Sequence, residues 1–367
     1  MEENRRINLS GLSKSTQVKV AIVYDWVNRH QGGAERVLTN LHQIWPEAPL
    51  YTSVYNPQKA DWAKSFPKVI TSFVNNLPLA KKRAYWYYPL IILGFEQFDF
   101  DEFDLVISVT SGPAKAVITK PETTHVCYCL TPPTRHIYNR KLWPFRLAAK
   151  QDYLLGQRPD FYFATCNNVA ERIDYYYQRQ SEIVYPGVDL NKFKPNSSYS
   201  EDYYLVVSRL VGHKKVDLVI KAFNQLGLPL KIIGTGRNER ELKLMAKKNI
   251  NFIGEVSDEE LIKQYQQCQA VIFPQEEDFG LVPIEAQACG KPVIAFKGGG
   301  ALETIVEKKT GKFFYPQKPS ALIKVIRKFK PSNYSPDVCR QNAERFFEDS
   351  FKRKFKKIVE GCVPAQP

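Results

Sequence analysis

Short runs of β-branched and aromatic residues recur along the chain, separated by polar punctuation and by segments whose apolar residues return every three or four positions. In the first half the strand-like runs are Val18–Tyr24, Leu50–Val54, Val69–Phe73, Leu105–Val109, His125–Leu130, Phe161–Thr165 and Ile183–Tyr185. Amphipathic stretches such as Gly33–Ile44 and Asn168–Gln178 lie between them and predict helices. After the polar segment Gly187–Asp202 the alternation starts again, with strands predicted at Tyr204–Ser208, Leu230–Ile233, Asn251–Ile253, Ala270–Phe273 and Pro292–Phe296. A basic helix is predicted over Ser335–Val359.

Strands alternating with helix-length segments argue for parallel, doubly wound sheets. Two such series in 367 residues imply an α/β protein of two Rossmann-like domains with parallel sheets facing a central cleft. The expected boundaries are 1–187 for the first Rossmann-like domain, 188–202 for a linker and 203–345 for the second. The remainder, 346–367, is expected to form a helix that crosses back to the first domain. Ligands of such sheets sit at the carboxyl ends of the strands, so the residues just after each strand are where chemistry is sought.

Composition narrows the picture. Hydrophobic residues are 44% and charged residues 25%, the balance of a folded protein. Lys and Arg number 52 against 38 Asp and Glu, a formal charge of +14 that points to an anionic partner. Seven scattered cysteines supply neither a disulfide framework nor a zinc ligand set, and they read as reduced, buried thiols of a cytoplasmic protein. No stretch reaches the roughly 18 consecutive apolar residues of a membrane span, and the polar N-terminus lacks the apolar centre of a signal peptide. The stretch from Lys81 to Leu93 places a basic cluster beside interfacial aromatics and an apolar tail, as a peripheral contact with an anionic membrane face would need. Solvated lysines beside core aromatics explain the same composition. No nucleic-acid-binding motif accompanies the charge.

The segment from Phe273 to Gly300 is richest in candidate chemistry. A buried strand ends at Pro274; Glu277 and Asp278 follow, and Phe279-Gly280-Leu281 opens a helix that carries Glu285. Gly280 lets backbone approach a ligand, and helix N-terminal N–H groups favour a phosphate. Glu277 is placed to reach a sugar and Glu285 to accept two ribose hydroxyls; two ordinary surface carboxylates are the competing reading. Arg209 and Lys214 follow the first strand of the same domain, where fixed positive charge would stabilise a diphosphate leaving group. Gly234 and Gly236 form a Gly-x-Gly turn after another strand, and Gly298-Gly299-Gly300 precedes Glu303. In the first domain Asp25 ends a strand and Gly33 starts a helix. Asp99-x-Asp101 has the form of a metal motif but precedes a strand, and no metal is expected there.

The segments GGAERVL, SRLVGHKKVDLVIKAF and EEDFGLVPIEAQACGKPVIAFKGGGALETI resemble the retaining glycosyltransferases of family 4, which have the GT-B fold. The similarity runs from about Lys19 to about Val359. Within that family, AYWYYPLIILGFEQFDF, HVCYCLTPPTRHIY and EIVYPGVD look most like O-antigen-type mannosyltransferases that use GDP-mannose. The resemblance implies metal-independent hexosyl transfer from a GDP- or UDP-linked sugar to a saccharide or lipid-diphosphate-linked acceptor, without a cofactor. It implies catalytic roles for Arg209, Lys214 and Glu277. Donor contacts would come from Gly33, Gly234, Gly236, Asp278, Phe279, Gly280, Leu281 and Glu285. One departure stands out. Leu130 occupies the place where the family commonly has a histidine, which leaves Asp25, Arg135 or His136 for the acceptor or sugar side. A different nucleotide-sugar donor, a sugar-nucleotide epimerase of the same fold and a degenerate binding module are the alternatives.

Overall fold

The structure is a computed structural model that describes residues 18–30, 32–133, 143–196 and 201–363. It divides into two compact units. The first comprises residues up to Thr165, Val169–Val184 and the chain from Lys352 onward. The second comprises Cys166–Asn168 and Tyr185–Phe351.

The first unit holds a seven-stranded sheet of β1 (Val20–Tyr24), β2 (Leu50–Thr52), β3 (Val69–Thr71), β4 (Leu105–Thr110), β5 (Thr124–Cys129), β6 (Phe161–Ala164) and β7 (Glu182–Ile183). Their order is β3-β2-β1-β4-β5-β6-β7, and every pairing is parallel. Buried on both faces, β1 and β4 read as unbroken apolar runs, VAIVY and LVISVT, and all their residues are buried. Strand β5 buries Cys127 and Cys129, and all seven cysteines are free thiols. Burial pushes the Cys127 thiol up to about 12, which leaves it protonated and unreactive.

The second unit holds six parallel strands, β8 (Tyr204–Val207), β9 (Leu230–Ile233), β10 (Ile250–Gly254), β11 (Ala270–Phe273), β12 (Val293–Phe296) and β13 (Gly311–Phe314), in the order β10-β9-β8-β11-β12-β13. The helix Val216–Leu226 turns Val216, Val219, Ile220 and Phe223 into the core beneath β8 and β9, as its apolar spacing dictates. Two parallel-sheet domains of this kind constitute the GT-B architecture.

Three details depart from the pattern of the sequence. Strand β13, GKFF, is too short and too glycine- and lysine-interrupted to stand out by periodicity. The basic helix expected over Ser335–Val359 is two helices, Pro336–Glu344 and Glu348–Cys362. Between them Phe346 is drawn into the core, and Val188 N donates to its carbonyl at 2.8 Å, so the backbone leaves the helical path. The segment 188–202 does not begin as a free linker either: Leu190 and Phe193 are buried, and Arg340 donates to both their carbonyls. From Lys352 the last helix packs in the first unit, where Phe355 lies against Trp45, Tyr128 and Phe163. No helix among the described residues is long and apolar enough to cross a membrane.

Candidate functional site

The strand order of the second unit changes direction between β8 and β11: β9 and β10 are added on one side of β8, and β11 to β13 on the other. The loops leaving two such adjacent strands diverge, and the crevice between them is where open α/β sheets bind ligands. Arg209 and Lys214 follow β8, and Glu277 follows β11. The fold therefore brings Lys214 and Glu277, 63 positions apart in sequence, into contact, with Arg209 on the same loop as Lys214.

Lys214 sits at the end of a short 3-10 turn, Gly212–Lys214, that leads into the helix Val216–Leu226. Its Nζ forms an ion pair with Glu277 Oε1. Gln275 Nε2 donates to that same oxygen at 3.0 Å. Gln275 is buried, and its own Oε1 has no partner among the described residues. Arg209 is exposed and makes no ion pair among the described residues. His213 lies in the same field: partial burial, then the neighbouring cations Lys214 and Arg209, push its imidazole below the ordinary histidine value. The cluster is therefore positive on the β8 side and held together by one carboxylate from the β11 side.

Glu285 is on the helix Leu281–Ala288 and is only 3% exposed. Its Oε2 accepts from the Tyr265 hydroxyl at 2.8 Å. A surface carboxylate is therefore not what this residue is. Phe279 is buried, stacked on Tyr185 at 5.6 Å, while Gly280 forms the N-cap position and Leu281 the first residue of the helix. Asp278 is half-buried in the loop before them.

The glycine turns act in a way the sequence does not reveal. Gly234, at φ +120°, leaves no room for a Cβ, which would stand 2.1 Å from the Ser208 carbonyl oxygen. A Cβ on Gly236 would stand 2.4 Å from the Leu210 oxygen. These two glycines let the loop after β9 lie against the loop that carries Arg209, sealed by Leu210 N donating to Thr235 O at 2.8 Å. Gly299, at φ +58°, does the same on the other side, where a Cβ would meet the Glu277 carbonyl oxygen at 2.2 Å. Instead of facing open space, the glycines after β9 and β12 buttress the two loops that bear the charged residues. Glu303 is occupied as well, accepting from Tyr185 Oη at 3.0 Å and Asn167 Nδ2 at 2.6 Å.

The first unit has a matching reversal between β1 and β4. Asp25, just after β1, is buried and binds inward: Oδ1 accepts from Thr110 Oγ1 at 2.6 Å and Ala114 N at 2.8 Å, and Oδ2 from Ser111 N at 2.9 Å. Burial pushes its carboxyl above the ordinary value despite those three donors. These bonds fix the loop after β4. Gly33 opens the helix Gly33–Ile44, whose first turn is closed by Glu35 accepting from Gly32 N at 3.0 Å and from Tyr24 Oη at 3.0 Å. Arg135 and His136 lie outside the described residues. Leu130 directly follows β5 and donates its backbone N–H to Thr110 O at 2.8 Å. Asp99 and Asp101 close a turn on themselves, with Asp101 N donating to Asp99 Oδ1 at 2.8 Å. No three metal-ligating side chains gather at one point among the described residues.

Two residues of this site carry no signal in sequence alone: Gln275 and Tyr265. A glutamine two positions before the first glutamate, and a tyrosine on a preceding amphipathic helix, have many structural uses. His213, beside Lys214, was open to notice as part of a basic loop.

The chain is similar to known proteins. Residues 188–346 match the family described as Glycosyl transferases group 1, a span that falls within the second unit. A glycosyltransferase of Methanocaldococcus jannaschii is 26% identical over 215 residues, 55% of this chain and 60% of that protein. A GDP-mannose-dependent monoacylated alpha-(1-6)-phosphatidylinositol monomannoside mannosyltransferase of Corynebacterium glutamicum is 36% identical over 114 residues, 27% of this chain and 30% of that protein. The matches thus span from about a third to three fifths of those relatives' lengths. Over the whole fold, the crystal structure of Anabaena HepE in complex with UDP-glucose superposes with a TM-score of 0.73 at 18% identity, covering 94% of this chain and all of that one. Most of the second unit is thus similar to the group 1 glycosyl transferases, in a chain whose fold is GT-B.

Proposed function

We propose that the chain transfers a hexosyl group, with retention, from a nucleotide sugar to a saccharide or lipid-linked saccharide acceptor. The observation that carries this reading is the Lys214–Glu277 ion pair at the β8/β11 reversal, flanked by Arg209. Lys214 and Arg209 would meet the diphosphate, where negative charge grows as the bond from the anomeric carbon to the leaving oxygen breaks. The acceptor hydroxyl forms the new bond on the same face, and its proton passes to an oxygen of the departing diphosphate. No protein base is required by such a path, and two fixed cations supply the charge that a metal ion supplies in other transferases. Glu277 would turn to the donor sugar once the diphosphate takes over Lys214. Glu285, held by Tyr265, would receive the ribose hydroxyls.

GDP-mannose is our first candidate donor, supported by the mannosyltransferase among the similar proteins and by the acceptor-domain segments of the sequence. A UDP-linked hexose is the second, favoured by the UDP-glucose complex of the similar fold. A donor panel read out by GDP or UDP release, run with and without EDTA, tests both. Release in the wild type, unaffected by EDTA and reduced by orders of magnitude in Lys214→Ala, is the expected result. Wild-type rates in that variant would sink the site assignment.

A further inference from the structure

The helix Tyr88–Glu96 in the first unit is apolar on both sides. Its inner side buries Ile91, Ile92 and Phe95 in the core. Its outer side leaves Leu90 and Leu93 in the open, the latter 50% exposed. In water an amphipathic helix would put polar residues at those outer positions, so an all-apolar helix at a surface meets something other than water. The preceding turns continue the face: Leu79, Tyr85 and Trp86 are each more than half exposed.

Cations border these apolar groups. Lys81, Lys82 and Arg83 are exposed, and none of them forms an ion pair among the described residues. The Arg83 guanidinium lies 4.1 Å over the Trp86 ring, which keeps it at the edge of the apolar face. Between Trp62 and Phe95 the sequence contains no acidic residue and five basic ones, Lys64, Lys68, Lys81, Lys82 and Arg83. A protein partner that matched this face would have to combine a broad apolar surface with surplus carboxylates. An anionic bilayer presents both at once, acyl chains beneath a layer of phosphates, and tryptophan with tyrosine prefers that boundary.

We propose that Leu79–Leu93 seats the first unit on an anionic lipid bilayer, with Trp86, Leu90 and Leu93 at the acyl boundary and Lys81, Lys82 and Arg83 on headgroup phosphates. This goes beyond the transfer reaction and stands apart from the donor site. The three cations near a charged surface should together favour anionic over neutral vesicles by about a hundredfold at low salt.

The test is co-sedimentation of the full chain with vesicles of phosphatidylcholine alone or mixed with phosphatidylglycerol, at low and high salt. We expect binding to the mixed vesicles that weakens with salt. The double variant Lys81→Glu/Lys82→Glu should lose at least tenfold in that binding, and Trp86→Ser/Leu93→Ser should lose binding to both vesicle types. Circular dichroism melts, together with release of nucleotide from a soluble donor, should match the wild type in both variants. Failure of the wild type to sediment with any vesicle overturns the proposal, and so does equal binding to neutral and anionic vesicles. A chain that instead self-associates through this face, losing that association in Trp86→Ser/Leu93→Ser without vesicle binding, overturns it too. Absent nucleotide release in a wild type that still binds anionic vesicles would count against the transferase reading alone.

Discussion

Tyr265 donates its hydroxyl proton to Glu285 Oε2 at 2.8 Å, and both residues are buried in the second unit. A buried carboxylate needs donors to replace lost water, and hydrogen bonds to charged groups contribute about 1.5–3 kcal/mol. Tyr265→Phe removes this donor while keeping the ring that packs against Phe193. We expect a loss of about 1–3 kcal/mol in unfolding free energy. The Michaelis constant for donor should rise about tenfold as the carboxylate loses its fixed orientation, with kcat changed much less. Steady-state kinetics beside a urea melt check it; an unchanged Michaelis constant would limit Tyr265 to a structural part.

The Gly234 backbone is held at φ +120°, against the Ser208 carbonyl. An alanine there combines a strained dihedral with a direct clash, so Gly234→Ala should cost at least about 1–3 kcal/mol. The neighbouring loop offers a control. A Cβ on Gly212 meets nothing within 4 Å, and Gly212→Ala should leave the melting temperature within about 1 °C of wild type. Because the clash pushes on the segment leading to Arg209, Gly234→Ala should also weaken donor binding, which Gly212→Ala should not.

Sequence periodicity made the two alternating series legible because parallel strands buried on both faces are continuous apolar runs, and VAIVY, LVISVT and AVIF stand out against any helix. The helix Gly33–Ile44 was readable to the residue. Arg209, Lys214 and Glu277 could be placed after strand ends, and Glu285 on the helix that follows, for the same reason. What periodicity carries no trace of is sheet order. The β8/β11 reversal that joins Lys214 to Glu277 depends on which strands pair, and parallel pairing is decided by the packing of helices far apart in sequence. The glycine turns were legible as turns, yet their partners, Ser208 and Glu277, are backbone atoms of other loops that no local pattern names. The loop-fixing bonds of Asp25 were not legible either, because a carboxylate after a strand looks the same whether it faces a ligand or caps the next loop.

Lys115 and Asp152 form a buried pair in the first unit, Nζ to Oδ1 at 2.6 Å, both side chains at most 3% exposed. Lys115 also donates to Gly112 O at 3.0 Å, and Tyr177 Oη donates to Asp152 Oδ2 at 2.9 Å. Burial by itself would depress the ammonium, but the Asp152 carboxylate beside it holds it above its ordinary value. Removing one partner strands a charge, so Asp152→Ala should cost about 3–5 kcal/mol. Removing both, in Lys115→Met/Asp152→Leu, should recover much of that loss. Chemical denaturation of both variants beside the wild type gives the comparison, and a double variant no more stable than Asp152→Ala would show that the pair does not act as a unit.

His213 offers a readout of donor binding through protons. Its imidazole is pushed below the ordinary 6.5 by partial burial and by Lys214, Arg209 and Arg237, against the opposing pull of Glu277. A folded value below the unfolded one means that the unfolded chain binds more protons near pH 6. This residue therefore subtracts stability as the pH falls through 6.5, and subtracts nothing well above it. A nucleotide diphosphate bound to Lys214 and Arg209 would cancel the cations that depress it, and the imidazole would then take up a proton on binding. The expected outcome is donor affinity that strengthens between pH 7.5 and 6, by no more than about tenfold for one proton. Calorimetry in buffers of different ionisation enthalpy should record proton uptake near pH 6.5 in the wild type and its loss in His213→Asn. Equal proton uptake in the two proteins would move the titrating group elsewhere. No uptake in either would show that the diphosphate does not settle on the Lys214 side of the crevice.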